Sequence, residues 1–416
     1  MTVLSPLAEG GDQLVAGEGL NVGARLVAPL PFARNLYAYD FADVAAEERF
    51  DALCARAHVI ELPLLTGHSR SAVAASGEER DRQYAQVGMF VARHGHLLLA
   101  IWDGRSNGKL GGTAQIVDYF LTGAAPGGHG RARRPQLYGG GDERLLCHLV
   151  CSRDTPDGAP AAPLRPGEVI WRNREEASAP GAPMPPEFRT VFACADAFNV
   201  EAAKYAADIA REGTLIKDAP PNPGTVEVHL PESPAVLFRA ADWLAIHFQR
   251  RVLLSMRVIY TVAFLTGVAF NAHDNLNHTD DMIFVFLLLF AIGVAISTIA
   301  KRRAWHRKYL DYRALAEGLR VQCHWRRAGI SLTADPDFAH DSLLQKQDIE
   351  LDWVRNVMRS AGLADDPAPI RPGATVLRGV IDDWVGDDQS GQLGYYGRNT
   401  GRRERSHRLN ERLGRM

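Results

Sequence analysis

The chain has 416 residues, of which 46% are hydrophobic and 23% are charged, and its formal net charge at pH 7 is −2. This length gives room for two or three folded units, and the balanced charge supplies no overall field for DNA or RNA, so we expect no nucleic-acid partner. The five cysteines are scattered and odd in number, a usage that predicts free thiols rather than a disulfide framework.

Residues 1–155 alternate between short apolar runs and amphipathic helical patterns. Strands are predicted in five apolar runs, at residues 2–5, 24–32, 58–64, 96–104 and 143–153. Helical patterns fill most of the sequence between them, at residues 7–20, 41–57, 77–95 and 111–123. Apolar strands that alternate with helices are typical of a parallel sheet covered on both faces. We therefore predict that residues 1–155 form one domain, an α/β Rossmann-like parallel-sheet sandwich.

Cys147 and Cys151 lie in the last of these apolar runs, four residues apart. On a strand this spacing puts both thiols on one face, where they suit core packing. No second pair of metal ligands accompanies them, so we predict no metal site.

Changes of composition divide the rest of the chain. Residues 156–186 are rich in Pro, Ala and Gly, a composition typical of a linker or a loose insert. Residues 187–361 form a predicted helical region, with helical patterns over 192–213, 232–251, 304–330 and 341–362. Residues 362–416 form a basic C-terminal tail with seven arginines from Arg398 onward. A solvated helix face is the default for such a tail, and contact with anionic lipid is the alternative.

Two apolar runs, residues 252–270 and 282–300, lie inside the helical region. A helix of that length rises ~28 Å, about the thickness of the hydrocarbon core of a bilayer. The second run has no charged residue, and the first has only Arg257, close enough to its start for the side chain to reach the headgroups. We predict a transmembrane hairpin with two spans. The alternative is a buried apolar hairpin in a soluble protein.

Charges at the ends of the spans predict the orientation of the hairpin. Basic residues precede the first span and follow the second: Arg250, Arg251, Lys301, Arg302, Arg303, Arg307 and Lys308. The connecting loop, residues 271–281, contains aspartates but no Lys or Arg. Because positive charge resists translocation, we expect both termini in the cytoplasm and the protein in the inner (plasma) membrane. No cleavable signal-peptide pattern is recognisable, and the first span would itself direct insertion.

The helical pattern after the second span carries an apolar stripe at spacings of three and four residues. Its members are Trp305, Tyr309, Tyr312, Ala316, Leu319 and Cys323. Such a stripe is typical of packing on a neighbouring helix. The neighbour is either the helix before the first span or the same helix of another subunit.

Two Gly-rich turns between a predicted strand and a predicted helix form the candidate ligand site. The first turn supplies Ser5, Glu9, Gly10, Gly11 and Asp12. The second turn supplies Trp102, Asp103, Gly104, Gly111, Gly112 and Thr113. In a parallel sheet, ligands bind at the carboxyl ends of strands, where helix N-termini direct backbone N–H groups at an anion. We predict that a nucleotide-derived ligand binds between these turns, and we expect no further cofactor.

The same residues carry a resemblance to a known family. The opening SPLAEGGDQLVA, the DF of Asp40 and Phe41, and LLLAIWDG with GGTAQIV resemble the SLOG superfamily. That resemblance implies a Rossmann-like domain, related to the DprA and LOG proteins, that binds nucleotides or nucleotide-derived ligands. The two spans followed by YLDYRALAEGLRVQ resemble the SLATT module, a two-helix membrane effector found with nucleotide-sensing domains in bacterial conflict systems. Together the two resemblances cover most of residues 1–330.

Two departures from the family pattern bear on the site. The predicted sheet begins abruptly at Met1, without the strand and Gly-His-Arg-type turn that precede SPLAEG in such domains, so a truncated pocket is one expectation. LOG-type phosphoribohydrolases carry a catalytic Glu three residues after the Thr of their glycine motif, where this chain has Ile116. The resemblance therefore implies ligand binding without that hydrolysis.

Three functional hypotheses follow. The leading one is a membrane-anchored sensor-effector of bacterial defence, a homo-oligomer because one hairpin cannot enclose a pore. The second is a membrane-tethered nucleotide or NAD glycohydrolase that uses Glu9 or Asp12. The third is a non-catalytic structural membrane protein. The sequence lacks the G-x-S-x-G, G-x-x-x-x-G-K-[ST] and H-E-x-x-H signatures, so we assign no catalytic residue and expect binding rather than catalysis.

Overall fold

The computed structural model describes residues 1–126, 144–155, 157–211, 233–275, 281–330, 351–363, 372–387 and 389–414. The middle of the loop predicted between the two spans, residues 276–280, lies outside the described residues, as does the first part of the helical pattern over 341–362.

The N-terminal part contains the predicted alternation of strands and helices. Its strands are β1 (Thr2–Leu4), β2 (Arg25–Leu30), β3 (Ala57–Glu61), β4 (Leu97–Trp102), β5 (Leu145–Val150) and β6 (Val169–Arg172). Its helices are α1 (Gly11–Asn21), α2 (Arg34–Tyr37), α3 (Val44–Cys54), α4 (Arg70–Ala74), α5 (Glu78–His94) and α6 (Thr113–Thr122). The five predicted strands and the four predicted helices are all confirmed, each somewhat shorter than its apolar pattern.

The strands form two small sheets, with the orders β1-β2-β3 and β4-β5-β6. The first sheet is parallel throughout, and β4 pairs with β5 in parallel as well. The two sheets approach each other at the first residue of α1, since a Cβ added to Gly11 would lie 3.5 Å from the side chain of Ile101. A small parallel sheet near the N-terminus is therefore confirmed.

One strand lies where we predicted a linker or loose insert. β6 pairs antiparallel with β5, so that Trp171 is opposite Cys147. The short apolar run of β6 is flanked by Pro and Gly, which dominated the composition of residues 156–186 and hid it. Physically, β6 covers the backbone edge of β5 that would otherwise stay unpaired.

The C-terminal part is helical in the described residues. Its helices are α7 (Pro186–Lys204), α8 (Ala206–Arg211), α9 (Pro234–Asn275), α10 (Asp281–Arg302), α11 (Trp305–Arg327), α12 (Asp352–Gly362), α13 (Ala374–Trp384) and α14 (Gly391–Gly414). The helical pattern over 232–251 and the first span belong to one continuous helix, α9. The basic tail forms α14, whose Arg398, Arg403, Arg405 and Arg408 are exposed.

The apolar halves of α9 and α10 pack against each other as a hairpin. A Cβ added to Gly293 would meet Val262 at 3.5 Å, and the ring centroids of Phe270 and Phe286 lie 5.7 Å apart. The less exposed residues of both runs recur at spacings of four and three, the spacing expected for the seam of two helices packed at a shallow angle. They are Ser255, Ile259, Val262, Thr266 and Ala269 on α9 and Met282, Phe286, Leu289, Gly293 and Ile296 on α10.

The antiparallel pairing continues beyond the apolar runs, where α9 packs against α11 instead of α10. Gln249 donates to the hydroxyl of Tyr309 at 3.3 Å, and Arg313 pairs with Asp242 at 3.1 Å. The chain passes from α10 to α11 through Ala304, which has a left-handed backbone with φ 49°. This local bend leaves the register of the pairing along α9 unbroken.

The predicted stripe of α11 is buried in the core of the helical part. Tyr312, Ala316, Leu319 and Cys323 are buried there, and Trp305 and Tyr309 pack at its edge. The residues of α9 in the same core precede the first span: Ala235, Leu237, Phe238, Ala240, Ala241, Leu244, Ala245 and Phe248. The prediction of packing on a neighbouring helix is confirmed, and within this chain that neighbour is the helix before the first span.

Helix α12 connects the helical core to the N-terminal part. Trp353, Val354 and Met358 are buried in the helical core. Leu363, directly after α12, is buried instead in a cluster from β2, β3 and α5, formed by Val27, Ile60, Leu62, Val87 and Phe90. The two parts of the molecule are therefore in direct apolar contact through this one short helix.

Two helices in the described part are long and apolar enough to cross a membrane by length and composition. The candidate segments are Pro234–His273 and Met282–Arg327, and only 11% and 0% of their most apolar windows is buried. The described residues therefore leave the apolar surface uncovered, which disfavours the alternative of a hairpin buried in a soluble core.

Replacing Leu319 tests the helical core. Leu319 is fully buried between α11 and α9, so we expect Leu319→Ala to lower the free energy of unfolding by about 2–5 kcal/mol through lost burial and an unfilled cavity. Leu310 lies on the exposed side of the same helix, so Leu310→Ala is the matched control and should change it by under about 0.5 kcal/mol. Thermal and denaturant unfolding of the full chain in detergent measures both. Equal losses in the two variants would contradict the assignment of the stripe to the core.

Candidate functional site

A cleft of about 260 Å³ opens where β4 and β5 end and α6 begins. Its walls come from three consecutive features of the fold: the carboxyl ends of the two strands, the loop after β4 and the first turn of α6. The lining residues are Ile101, Trp102, Asp103, Arg105, Asn107, Gly112, Thr113, Ala114, Cys151 and Arg153. This is the edge of a parallel pair at which ligands bind in open α/β sheets.

Asp103 organises the floor of the cleft. Its side chain is only 2% exposed and forms an ion pair with Arg153, with 2.6 Å between Oδ2 and Nε. Its other oxygen, Oδ1, accepts a hydrogen bond from the backbone N–H of Arg105 at 2.9 Å. A buried carboxylate with these bonds is stable only because its charge is paired. Asp103 therefore positions the two arginines and is itself neutralised by one of them.

Arg105 supplies positive charge, and among the described residues its side chain contacts no carboxylate. Its guanidinium donates to the carbonyl oxygens of Asp157 at 3.3 Å and Pro160 at 3.5 Å, and its own carbonyl accepts from the indole N–H of Trp102 at 2.9 Å. Carbonyl oxygens are neutral acceptors, so they hold the side chain without cancelling its charge. The cleft thus keeps a net positive character suited to an anion.

The N-terminus of α6 points more donors at the same space. Inside the first turn, the N–H groups of Gln115 and Ile116 both donate to the carbonyl of Gly112. The preceding N–H groups, those of Thr113 and Ala114, belong to the first turn, where a helix offers no carbonyl to accept them. Both residues line the cleft. Backbone N–H groups and the helix dipole together favour an anion at this position.

Gly111 allows α6 to begin close to α5. Its backbone has φ +73°, and a Cβ there would lie 2.7 Å from the backbone nitrogen of Ala85. No side chain fits at that distance, and a positive φ disfavours any residue with a Cβ. Glycine at this position is therefore required to place the first turn of α6 at the cleft.

The two predicted turns have different positions relative to the cleft. From the second turn, Trp102, Asp103, Gly112 and Thr113 line it, while Gly104, at φ +78°, packs on Leu164 and Gly111 packs on α5. No residue of the first turn lines it. Only Gly11 comes near, through its contact with Ile101.

The polar groups of the first turn bond within their own part of the chain. The Ser5 hydroxyl donates to the carbonyl of Asp12 at 3.1 Å and accepts from the N–H of Leu7 at 3.3 Å. The Glu9 carboxylate accepts from the N–H of Ala42 at 3.2 Å. Gly10, at φ +93°, allows the turn into α1. These groups shape a loop rather than converge on the cleft.

Asp12 is half-buried at the start of α1, and its carboxylate accepts a hydrogen bond from the backbone N–H of Ala8. Burial raises the pKa of this carboxyl from 3.8 to about 6, against the opposing effect of that hydrogen bond. A carboxyl with a raised pKa costs stability once it ionises, because the unfolded chain ionises it more easily.

Sequence reasoning missed several lining residues: Ile101, Arg105, Asn107, Ala114, Cys151 and Arg153. Arg105 directly follows WDG, and Arg153 lies three residues after the end of β5. Both therefore lie close to the carboxyl ends of strands, and the rule for parallel sheets points to them. Arg153 was missed because the predicted strand extended through it.

The cysteines and the position equivalent to a catalytic Glu do not add chemistry to the cleft. Burial raises the pKa of both Cys147 and Cys151, which keeps the thiols protonated. In the described part of the chain, no group of three or more His, Cys, Asp or Glu side chains is arranged to hold a metal ion. Ile116 faces α5, where a Cβ on Gly88 would lie 2.5 Å from its Cδ1, so this side chain packs between helices.

Replacing Gly111 tests how the cleft is built. We expect Gly111→Ala to lower the free energy of unfolding by clearly more than the cost of a positive φ alone, which is about 1–2 kcal/mol. Gly108 is the matched control, since its φ is +68° and nothing lies within 4 Å of a Cβ there. Gly108→Ala should show only the backbone cost in chemical unfolding of the full chain. Similar losses for the two variants would show that α6 shifts away from α5 without penalty.

The raised pKa of Asp12 predicts a pH dependence. The folded protein holds this proton more tightly than the unfolded chain, so the associated stability is complete below about pH 4 and is lost as the pH rises to about 6. Asp12→Asn removes this loss and can still accept the hydrogen bond from Ala8. We expect its stability advantage over the natural protein to grow by about 2 kcal/mol between pH 4 and pH 8. If the unfolding temperatures of Asp12→Asn and of the natural protein changed equally with pH, the result would contradict the burial of this carboxyl.

Comparison of the chain with protein-family models, with curated proteins and with solved structures gave no match in any of the three.

Proposed function

We propose that this chain is a membrane-anchored sensor-effector. In this proposal a nucleotide-derived ligand binds the cytoplasmic cleft between β4, β5 and α6, and binding changes how the membrane hairpins of several copies associate. The observation that carries the proposal is the cleft itself, with Arg105, Arg153 and the first turn of α6 directed into one space. The resemblance to SLOG and SLATT modules is consistent with it, as is a role in bacterial defence.

The chemistry of the cleft favours a phosphate-bearing ligand with a ring. Arginine binds phosphate through two parallel hydrogen bonds, and the N–H groups of Thr113 and Ala114 add the helix terminus typical of phosphate sites. Trp102 offers an aromatic wall on which a base can stack. A volume of about 260 Å³ lies near the lower end of small-molecule pockets. The cleft therefore suits one nucleotide unit better than a polymer.

The membrane part of the proposal depends on the hairpin of α9 and α10. Its apolar surface is uncovered in the chain, and basic residues flank it on the side that carries the rest of the protein. We place both termini in the cytoplasm and the two spans in the inner (plasma) membrane. Because a single hairpin cannot enclose a pore, a homo-oligomer is part of the proposal.

Contacts through α12 give the ligand a physical route to the hairpin. α12 packs in the core that holds α9 and α11, and Leu363 at its end packs on β2, β3 and α5 of the N-terminal part. A ligand changes the assembly only if it binds one state more tightly than the other. The proposed difference is a shift of the N-terminal part relative to α12, which α9 transmits into the membrane.

The positions of the carboxylates favour binding over hydrolysis. Glu9 accepts from Ala42, Asp12 accepts from Ala8, and neither lines the cleft. Asp103 does line it but is paired with Arg153. A glycohydrolase needs a carboxylate directed at the scissile bond, so we retain the nucleotide or NAD glycohydrolase only as an outcome of the test below.

Ligand screening of the full chain tests the proposal. We expect at least one of ATP, NAD and the nucleoside monophosphates to raise the temperature of unfolding, as any ligand of the folded state must. Arg105→Ala removes a charged contact worth about 1.5–3 kcal/mol, so binding should weaken by about ten- to a hundredfold. Arg165, exposed and outside the cleft, provides the matched control, and Arg165→Ala should bind like the natural protein.

The same proteins are then reconstituted in dye-loaded liposomes. We expect the active nucleotide to increase leakage from liposomes that contain the natural protein or Arg165→Ala, and to have no effect with Arg105→Ala. Leakage that is indifferent to the nucleotide, or the lack of any binding, would refute the proposal. Release of free base during the incubation would support the glycohydrolase instead.

A further inference from the structure

The first span has two faces with opposite surroundings. One face carries the less exposed residues Ser255, Ile259, Val262, Thr266 and Ala269, and Val262 on this face lies against Gly293 of α10. Residues two apart on a helix point about 160° away from each other. Arg257 is two residues from both Ser255 and Ile259, so it points away from α10, and it is exposed.

Arg257 shares this outer face with a second arginine. Arg250 lies seven residues earlier, which is two helical turns or about 10.5 Å along the axis, and it is exposed as well. In the part of the chain that the structure describes, none of the ion pairs includes Arg250 or Arg257. The same face continues beyond Arg257 with large exposed apolar side chains, those of Phe264 and Val268.

The direction of α9 determines which way Arg257 reaches. Side chains on a helix lean toward its N-terminus, and the N-terminal half of α9 is the half that packs with α11 outside the apolar run. The guanidinium of Arg257 therefore extends toward Arg250 and toward the membrane surface next to the folded parts. A long cationic side chain placed near the end of a span reaches the headgroup layer in this way.

We propose that the Arg250–Arg257 face of α9 binds an anionic phospholipid of the leaflet nearest the folded parts. The headgroup phosphate bonds to Arg257, the positive charge of Arg250 closer to the membrane surface adds to the attraction, and the acyl chains lie along Phe264 and Val268. This inference rests on the membrane insertion included in the proposed function, but it is independent of the nucleotide.

Charge decides between a lipid and a second copy of the chain as the occupant. Two copies packed symmetrically through this face would bring Arg257 of each close to the other, because a two-fold interface places the same patch on both sides. Two arginine side chains so close together at the edge of a membrane repel each other strongly. The negatively charged phosphate of a phospholipid is instead attracted by both arginines and can accept hydrogen bonds from a guanidinium group.

The experiment measures the stability of the full chain in nanodiscs without any nucleotide. Discs are made of phosphatidylcholine alone or with a minority of phosphatidylglycerol. We expect phosphatidylglycerol to raise the temperature of unfolding of the natural protein and to be retained in native mass spectra. Arg257→Gln should lose most of this increase, and Arg257→Lys, which keeps the charge, should lose less. Arg303, an exposed cation after α10, gives the matched control, since Arg303→Gln removes one charge elsewhere and should keep the increase.

Three results would overturn the lipid site. They are an equal unfolding temperature in the two kinds of disc for the natural protein, a full increase in Arg257→Gln, and a change of subunit number in Arg257→Gln that shows a second copy on this face. A chain that fails to enter the nanodiscs would overturn the membrane insertion itself. A chain that enters them and lacks nucleotide-dependent leakage leaves the lipid result intact, so failure of the two proposals can be told apart.

Discussion

The antiparallel pairing of α9 with α10 and then α11 is the interaction on which the helical part depends. Because α9 is one continuous helix of 42 residues, its apolar half and its folded half cannot move independently. The chain bends at Ala304 between α10 and α11, but both helices pair with α9 in the same register. This register extends from the contact of Gly293 with Val262 to the ion pair of Arg313 with Asp242. Any rotation of the folded half is therefore carried into the apolar half.

The core around this pairing also explains why the helical part is connected to the sheets. Tyr312 and Trp353 are buried together in it, and the Tyr312 hydroxyl donates to Glu201 of α7 at 2.6 Å. α12 then extends from this core to the cluster that holds Leu363. A continuous series of packed helices and strands therefore connects the cleft to the apolar hairpin. The sensor-effector proposal depends on this connection.

The cleft and the outer face of α9 use the same chemistry in two settings. In the cleft, Asp103 neutralises Arg153, and carbonyl oxygens hold Arg105 without removing its charge. On α9, Arg250 and Arg257 lie on an exposed face two helical turns apart. Both arrangements offer guanidinium groups to an anion, which we propose is a small soluble one in the cleft and a lipid headgroup on α9.

Local patterns in the sequence determined the strands β1 to β5, the long helices, the two apolar runs and the stripe of α11. These are features of neighbouring residues, since an amphipathic helix or a buried strand is visible in its own periodicity. They also placed Trp102, Asp103, Gly112 and Thr113 at a strand-to-helix turn. Only the tertiary structure decided that Arg153 joins them, that Glu9 bonds to the backbone of Ala42 instead of the cleft, that β6 covers β5 and that Leu363 reaches β2. Each of these depends on contacts between segments far apart in the chain, and burial against distant partners leaves no periodic trace in the local sequence.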